Sequence, residues 1–422
     1  MPGRSLAIGR GAAPGRSPPS CRGGTSAWLF RSPKLRAFLA GLCLAAAGPA
    51  QASPYLPTDD AEILERLPVA GDAGLRTLRK LHDALRRDPS NLSLALMVAA
   101  RDHEVGRAAA DPRYDGYAEA ALAPWIGLDQ PPTAVLLQRA TLRQSRHDFH
   151  GALDDLGRVI DATPRNAQAW LTRAVVLQVE GDYPQALASC GQLRQLAQPL
   201  VFEICDANVR VMGDHAASAY DALEAALERQ PDDAALRLWA LTLLGETAAR
   251  LGDPAAAEAQ FRQALALNIE DSYLLGAYAD FLLDQGRPAE IRTLLAQKTR
   301  IDPLMLRLAL ADAALGSPDL AADTADLAER FGASRQRGDR AHLREEARFT
   351  LHILHQPAAA LDLALANWAV QREPWDARIL LEAALAAGRP ETARPVLDWL
   401  NASHIQAVRL QALADEAQGA AR

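Results

Sequence analysis

Residues 241–264 read LTLLGETAARLGDPAAAEAQFRQA, and the turn in the middle of them decides the fold. Leu and Ala recur at three- and four-residue steps on both sides of Gly252-Asp253-Pro254, the spacing of an apolar helical face. Gly suits the left-handed position that ends one helix, Asp is an N-cap for the next, and Pro fits that helix's first turn. The same chemistry returns in register. Gly286-Arg287-Pro288 lies 34 residues on (286−252), and Gly388-Arg389-Pro390 lies 102 beyond that (388−286), three times 34. Upstream, His147-Asp148-Phe149 is followed after 34 residues (181−147) by Gly181-Asp182-Tyr183. This period predicts stacked helical hairpins, each too small to bury its own apolar face.

From Leu75 onward the helical pattern is almost unbroken. Besides the Gly turns, a Pro closes many units, as in Arg87-Asp88-Pro89, Ala162-Thr163-Pro164, Arg229-Gln230-Pro231 and Ile301-Asp302-Pro303. Two breaks per unit mean two antiparallel helices per unit. These residues resemble the tetratricopeptide repeat family. Trp170, Ala174, Gly181, Tyr183, Ala186 and Leu187 match its pattern in one unit; Leu241, Leu244, Gly245, Gly252, Ala257, Phe261 and Ala264 match in a second. A third has Leu275, Tyr278, Ala279, Gly286, Leu295 and Pro303. The resemblance implies an all-α, right-handed solenoid of stacked antiparallel hairpins, about nine with weak ones included.

The register is poorer at both ends. Residues 92–131 fit a hairpin whose turn is enlarged by Ala108 to Tyr114, and units 306–340 and 341–373 lose signature residues around a longer loop at Ser334 to Asp339. Unit 374–401 recovers the pattern, so the array is expected over 75–403. Residues 404–422 hold an amphipathic segment, His404 to Gln418, that would cap the open apolar face. Residues 53–74 read as a lead-in with one short helix.

Residues 1–52 read as a leader. Arg31, Lys34 and Arg36 precede an apolar run, Ala37 to Ala47, and then Gly48-Pro49-Ala50-Gln51-Ala52. A basic n-region, an apolar core of about 11 residues and a small-x-small ending predict a secretory signal peptide cleaved after Ala52. The competing reading is a retained anchor, against which the run is short of the roughly 20 residues a bilayer needs. Leu42 precedes Cys43 where a lipoprotein signal would need a small residue. Without the leader the chain has 45−7=38 basic and 52 acidic residues, a balance of −14, which repels phosphate backbones and argues against nucleic acid. The near-absence of lysine, with Arg and Ala dominant, points to a GC-rich bacterial genome; with the leader, that places the mature chain in the periplasm. No further run of 18 apolar residues predicts a membrane span.

No phosphate-binding loop, nucleophile elbow or H-E-x-x-H helix is present. Two His pairs three apart, His147/His150 and His352/His355, put imidazoles on one helical face, but no Cys or carboxylate pattern completes a metal site beside them. They read as solvated turn residues, and no cofactor is expected. Cys190 and Cys205, the cysteines left after cleavage, fall on neighbouring helices and are either bridged or two buried thiols. The resemblance implies that first helices line a concave groove through Gln168, Gln178, Asn208, Trp239, Glu246, Tyr273, Asp280, Phe349, Trp375 and Glu382. Aromatics among amides and carboxylates would hold an extended segment or a partner helix. No basic pair forms the carboxylate clamp used by some relatives. The expected function is a non-catalytic exported scaffold that binds a cell-envelope protein or peptide in this groove. An obligate subunit of a membrane-associated assembly, contacting it through an edge or the convex face, is the alternative; a metal-dependent enzyme is third.

Overall fold

The computed structural model describes residues 73–109, 111–229, 233–339 and 341–421. The leader, its cleavage site and all of the lead-in before Ala73 lie outside them. The described residues form twenty α-helices and no strand. They are α1 (Ala73–Arg87), α2 (Leu92–Ala109), α3 (Arg113–Ile126), α4 (Thr133–Ser145), α5 (Phe149–Ala162), α6 (Ala167–Glu180), α7 (Tyr183–Leu196), α8 (Pro199–Arg210), α9 (Ala216–Arg229) and α10 (Ala234–Leu251). There follow α11 (Pro254–Ala266), α12 (Ser272–Asp284), α13 (Pro288–Leu295), α14 (Asp302–Leu315), α15 (Leu320–Gln336), α16 (Leu343–His352), α17 (Pro357–Trp368), α18 (Pro374–Ala386), α19 (Arg394–Ser403) and α20 (Val408–Ala420). From α2 to α19 consecutive helices pair as nine hairpins, an all-α solenoid.

The turn chemistry acts as its residues dictate. Gly181, Gly252, Gly286, Gly316 and Gly388 all have positive φ. The Asp253 side chain caps α11 by accepting the Ala256 amide at 2.9 Å, and Asp148 and Asp182 do the same for α5 and α7. Gly245 matters for its lack of a side chain, since a Cβ there would lie 2.8 Å from the Phe261 ring. Only glycine lets α10 and α11 approach this closely, and Phe261 then fills the core against Tyr278 and Phe281, with centroids 5.6 and 5.7 Å away.

The 102 residues from Gly286 to Gly388 are three units of unequal length. Gly316 (φ 63°) and His355 (φ 54°) supply the turns between, 30 (316−286), 39 (355−316) and 33 (388−355) residues apart. The long unit contains α15, a 17-residue helix. Helix α15 takes up Ser334 to Gln336, so half of the longer loop expected from Ser334 to Asp339 is helical. The enlarged turn expected from Ala108 to Tyr114 shrinks likewise, because α2 runs through Ala109 and α3 starts at Arg113; alanine prolongs a helix at little cost. At the C-terminus, His404 (φ 54°) ends α19, and the final helix starts at Val408 rather than His404.

That final helix does more than cover an open end. The first helices of five successive hairpins, α10, α12, α14, α16 and α18, pack each on the next; α20 packs on both α18 and α10, which closes a ring. Val408 lies 3.3 Å from the position a Cβ would take on Gly252. The earlier hairpin turns then sit on this ring. The Arg372 amide donates to the Val179 carbonyl at 2.8 Å, and Trp399 Nε1 donates to the Tyr183 hydroxyl at 3.0 Å. The Gln406 side chain accepts the Ala216 amide at 3.1 Å. Arg107 of α2 reaches Asp271 at 3.2 Å.

Candidate functional site

Ring closure converts the expected open groove into a cavity of about 630 Å³. Its wall takes residues from α10, α12, α14, α16, α18 and α20, with Arg107, His147, Gln178 and Asn208 above them. Six of the ten expected groove residues line it: Gln178, Asn208, Glu246, Tyr273, Asp280 and Trp375. Four do not. Phe349 is 2% exposed and packs on Phe331 in the core; it offers no surface because α15 folds over it. Trp239 packs on the apolar cluster around Leu238 and Leu241. Gln168 is exposed at the start of α6, where its amide donates to Thr172. Glu382 is consumed by Arg378 at 2.8 Å and His352 at 3.1 Å.

The wall is a charge network. Asp280, 3% exposed, accepts from Arg307 at 2.6 Å and from Arg348 at 2.7 Å. Burial by itself would raise the Asp280 carboxyl, but the two guanidiniums overcome that and hold it at about 2. Arg344 reaches Glu345 at 3.3 Å and Glu373 at 3.2 Å. Arg378 binds Asp284 through two 2.8 Å hydrogen bonds, and Arg409 of α20 joins the same carboxylate at 3.2 Å. Trp375 is held between Arg348 and Arg378, whose guanidinium carbons lie 4.3 and 4.2 Å from its ring, a double cation–π contact that fixes the indole on the cavity wall.

The cavity gathers arginines that the sequence does not display as a carboxylate clamp. Arg107, Arg250, Arg307, Arg344, Arg378 and Arg409 meet at the cavity from six different helices. They come from separate helices, and the packing of the ring brings them together. Tyr273 lies on the cavity wall. It keeps 60% of its surface free, yet that surface faces the cavity, and the neighbouring Glu246 charge together with burial raises its phenol well above the ordinary range.

The remaining expected residues fall elsewhere. His147 (φ 60°) and His355 (φ 54°) occupy left-handed turn positions; His147 stacks on Phe149 and lines the cavity, where burial lowers its imidazole to about 4. His150 lies on the surface beside Asp154. Among the described residues no group of three or more His, Cys, Asp or Glu is placed to hold a metal ion, and no helix is long and apolar enough to cross a membrane. Cys190 of α7 and Cys205 of α8 are joined in a disulfide, with Cα atoms 5.6 Å apart.

No family model and no curated protein matches the sequence. Solved structures are similar in architecture. A tetratricopeptide repeat protein from Parabacteroides merdae superposes with a TM-score of 0.37 at 15% identity, covering 55% of this chain and 92% of that one. The APC/C hetero-tetramer Cut9–Hcn1 superposes with a TM-score of 0.31 at 14% identity, over 82% of this chain and 52% of that one. The tetratricopeptide-like character of this chain stands on its own hairpins: glycine-ended first helices, Asp-capped second helices and a small residue at their crossing.

Proposed function

We propose that the protein is an exported, non-catalytic interaction scaffold of the bacterial cell envelope, and that it takes a short extended segment of a protein partner into its interior cavity. The observation that carries this reading is the wall itself: successive first helices turn arginines, carboxylates and the Tyr273 and Trp375 rings, set among apolar side chains, toward one shared cavity. A partner helix, about 10–12 Å across with its side chains, is a poor occupant of a cavity of about 630 Å³; a few extended residues are a better one. Export rests on the basic, apolar and small-x-small leader ending at Ala52. A second reading, an assembly subunit that docks by its edge, draws support from Met97, Tyr117 and Leu128, three exposed apolar residues at the first hairpin.

A photo-crosslinking residue placed at Tyr273 or at Tyr117 in living cells separates the two. Crosslinks to a protein partner from Tyr273 alone support the cavity; crosslinks from Tyr117 alone transfer the role to the edge. Mass spectrometry of the purified protein tests export, and an N-terminus at Ser53 is the expected result.

A further inference from the structure

Every arginine and every carboxylate on the cavity wall belongs to an ion pair, except two. Glu246 and Arg250 stand one turn apart on α10, the spacing at which such side chains ordinarily pair. Neither forms an ion pair among the described residues. Arg250 turns instead to the Met212 sulfur at 3.6 Å and the Thr247 hydroxyl at 3.3 Å, and its Nε is buried with no hydrogen-bond partner among the described residues. Glu246 accepts from the Tyr273 hydroxyl, 3.0 and 3.1 Å from its two oxygens, yet one hydroxyl has one hydrogen to give. A half-buried cation and a half-buried acid without a direct ion pair cost the folded chain some of their solvation. A ligand with the complementary charges removes that cost.

We propose that Glu246 and Arg250 form a subsite for a free α-amino acid, whose carboxylate lies on the Arg250 guanidinium and whose ammonium lies on the Glu246 carboxylate. The two side chains leave one helix from Cβ atoms about 5–6 Å apart, and a small ligand with both charges on one α-carbon suits a pair of that spacing. The end of a peptide is a poorer match, because it brings a carboxylate but only a neutral amide to Glu246. The Tyr273 ring, open to the cavity, offers the ligand side chain an aromatic wall, and about 630 Å³ lies within the range of small-molecule sites, roughly 300–1,000 Å³. This inference rests on the cavity being a binding site, as proposed above, and is independent of export and of a protein partner.

The titration of the site gives a second signature. Burial raises the Glu246 carboxyl to about 7 against the opposing charge of Arg250, while Glu373 and Asp280 push it the same way as burial. An ammonium placed on Glu246 favours its ionised form, so binding near neutral pH releases a proton.

Isothermal titration of the full chain with the standard free L-amino acids, their N-acetyl forms and their amides tests the subsite. The expected result is binding of at least one free amino acid, with its N-acetyl form and its amide each about tenfold or more weaker. The heat of binding should also change with the ionisation enthalpy of the buffer, which reports the released proton. Arg250→Met should weaken binding roughly tenfold to hundredfold, with circular dichroism confirming that the variant is folded. Glu246→Gln, nearly isosteric, should weaken binding and abolish proton release. The proposal is overturned if no free amino acid binds, if the amide or N-acetyl form binds equally well, or if both variants bind as the wild type does. Capture of a doubly blocked peptide, insensitive to both substitutions, would retain the cavity as a binding site and remove this subsite from it.

Discussion

Residues 133–266 and 302–403 are built from the same hairpins and filled differently. The first stretch buries one ionisable side chain, Asp155, which Arg139 and Arg143 neutralise from the helix before it. The second buries six: Arg307, Asp312, Glu345, Glu346, Arg348 and Asp376. The contrast follows from what each stretch packs against. Hairpins of the first stretch bury Leu, Ala and Phe between neighbours, as Leu241, Leu244 and Phe261 do, and for that they need the repeat signature intact. First helices of the second stretch also face the ring interior, where inward positions carry charge. Of the six, Arg307 and Glu345 line the cavity, while Asp312 pairs with Arg292 and Glu346 with Arg335 between helices.

Breaking the charged region should therefore cost more than breaking any turn. Asp280→Ala leaves Arg307 and Arg348, both deeply buried, without the carboxylate they share. The expected loss is about 3–5 kcal/mol, read as a lower midpoint in urea unfolding followed by circular dichroism. A loss as small as that of an exposed ion pair would mean that the two arginines find other partners.

The first stretch has its own covalent support. Its disulfide closes a short segment, with the cysteines 15 residues apart, a loop size for which the constraint on the unfolded chain is worth about 3 kcal/mol. The double variant Cys190→Ser/Cys205→Ser should lose about that much in oxidising buffer. Under full reduction it should unfold with the same midpoint as the wild type, apart from the small effect of serine for thiol. A midpoint that survives both treatments would place the stability of this stretch in its Leu and Ala contacts.

Legibility in the sequence divides along the same line. The turns at Gly181, Gly252, Gly286 and Gly388 and the caps at Asp148, Asp182 and Asp253 are local chemistry, and a single sequence displays them. Glu246, Tyr273, Asp280 and Trp375 were reachable because repeat position places them on first helices. Arg250 was not: at the end of α10 it has the look of an ordinary basic residue near a helix C-terminus. Arg344 and Arg409 were hidden for different reasons. Arg344 stands on α16, in a unit whose signature is weak, and Arg409 reaches the cavity because α20 returns to α10, a closure made by Val408 against Gly252 and Gln406 against the 213–217 turn, contacts that obey no period. Phe349 marks the opposite failure, since an inward repeat position was filled by core.

The cavity acids also impose a pH dependence on folding, in opposite directions. The Glu246 carboxyl is raised from its ordinary 4.5 to about 7, so the folded chain keeps that proton where the unfolded chain has lost it. Its contribution to stability is fully present below about pH 4.5 and disappears as pH rises through 7. Asp280, held at about 2, acts in the other direction: its contribution is present above its ordinary 3.8 and is lost as pH falls toward 2. Comparing unfolding midpoints at pH 5 and pH 8, Glu246→Gln should remove a decline of roughly 2 kcal/mol seen in the wild type. An unchanged decline would assign it to another buried acid.

The smallest effect isolates the turn from the cavity. At Gly388 (φ 64°) a Cβ would meet nothing within 4 Å, so Gly388→Ala tests backbone conformation with no steric contribution from neighbours. Holding an L-residue in the left-handed region should cost about 1 kcal/mol. His355 holds the equivalent turn at φ 54° without being glycine, which makes it the reciprocal case. His355→Gly should recover part of that cost, reduced by the larger entropy glycine loses on folding. Thermal midpoints moving in opposite directions for the two variants would show that the turn is set by backbone alone. A destabilised His355→Gly would instead mean that the imidazole contributes contacts, and that the 316–388 region is held by side chains even at its turns.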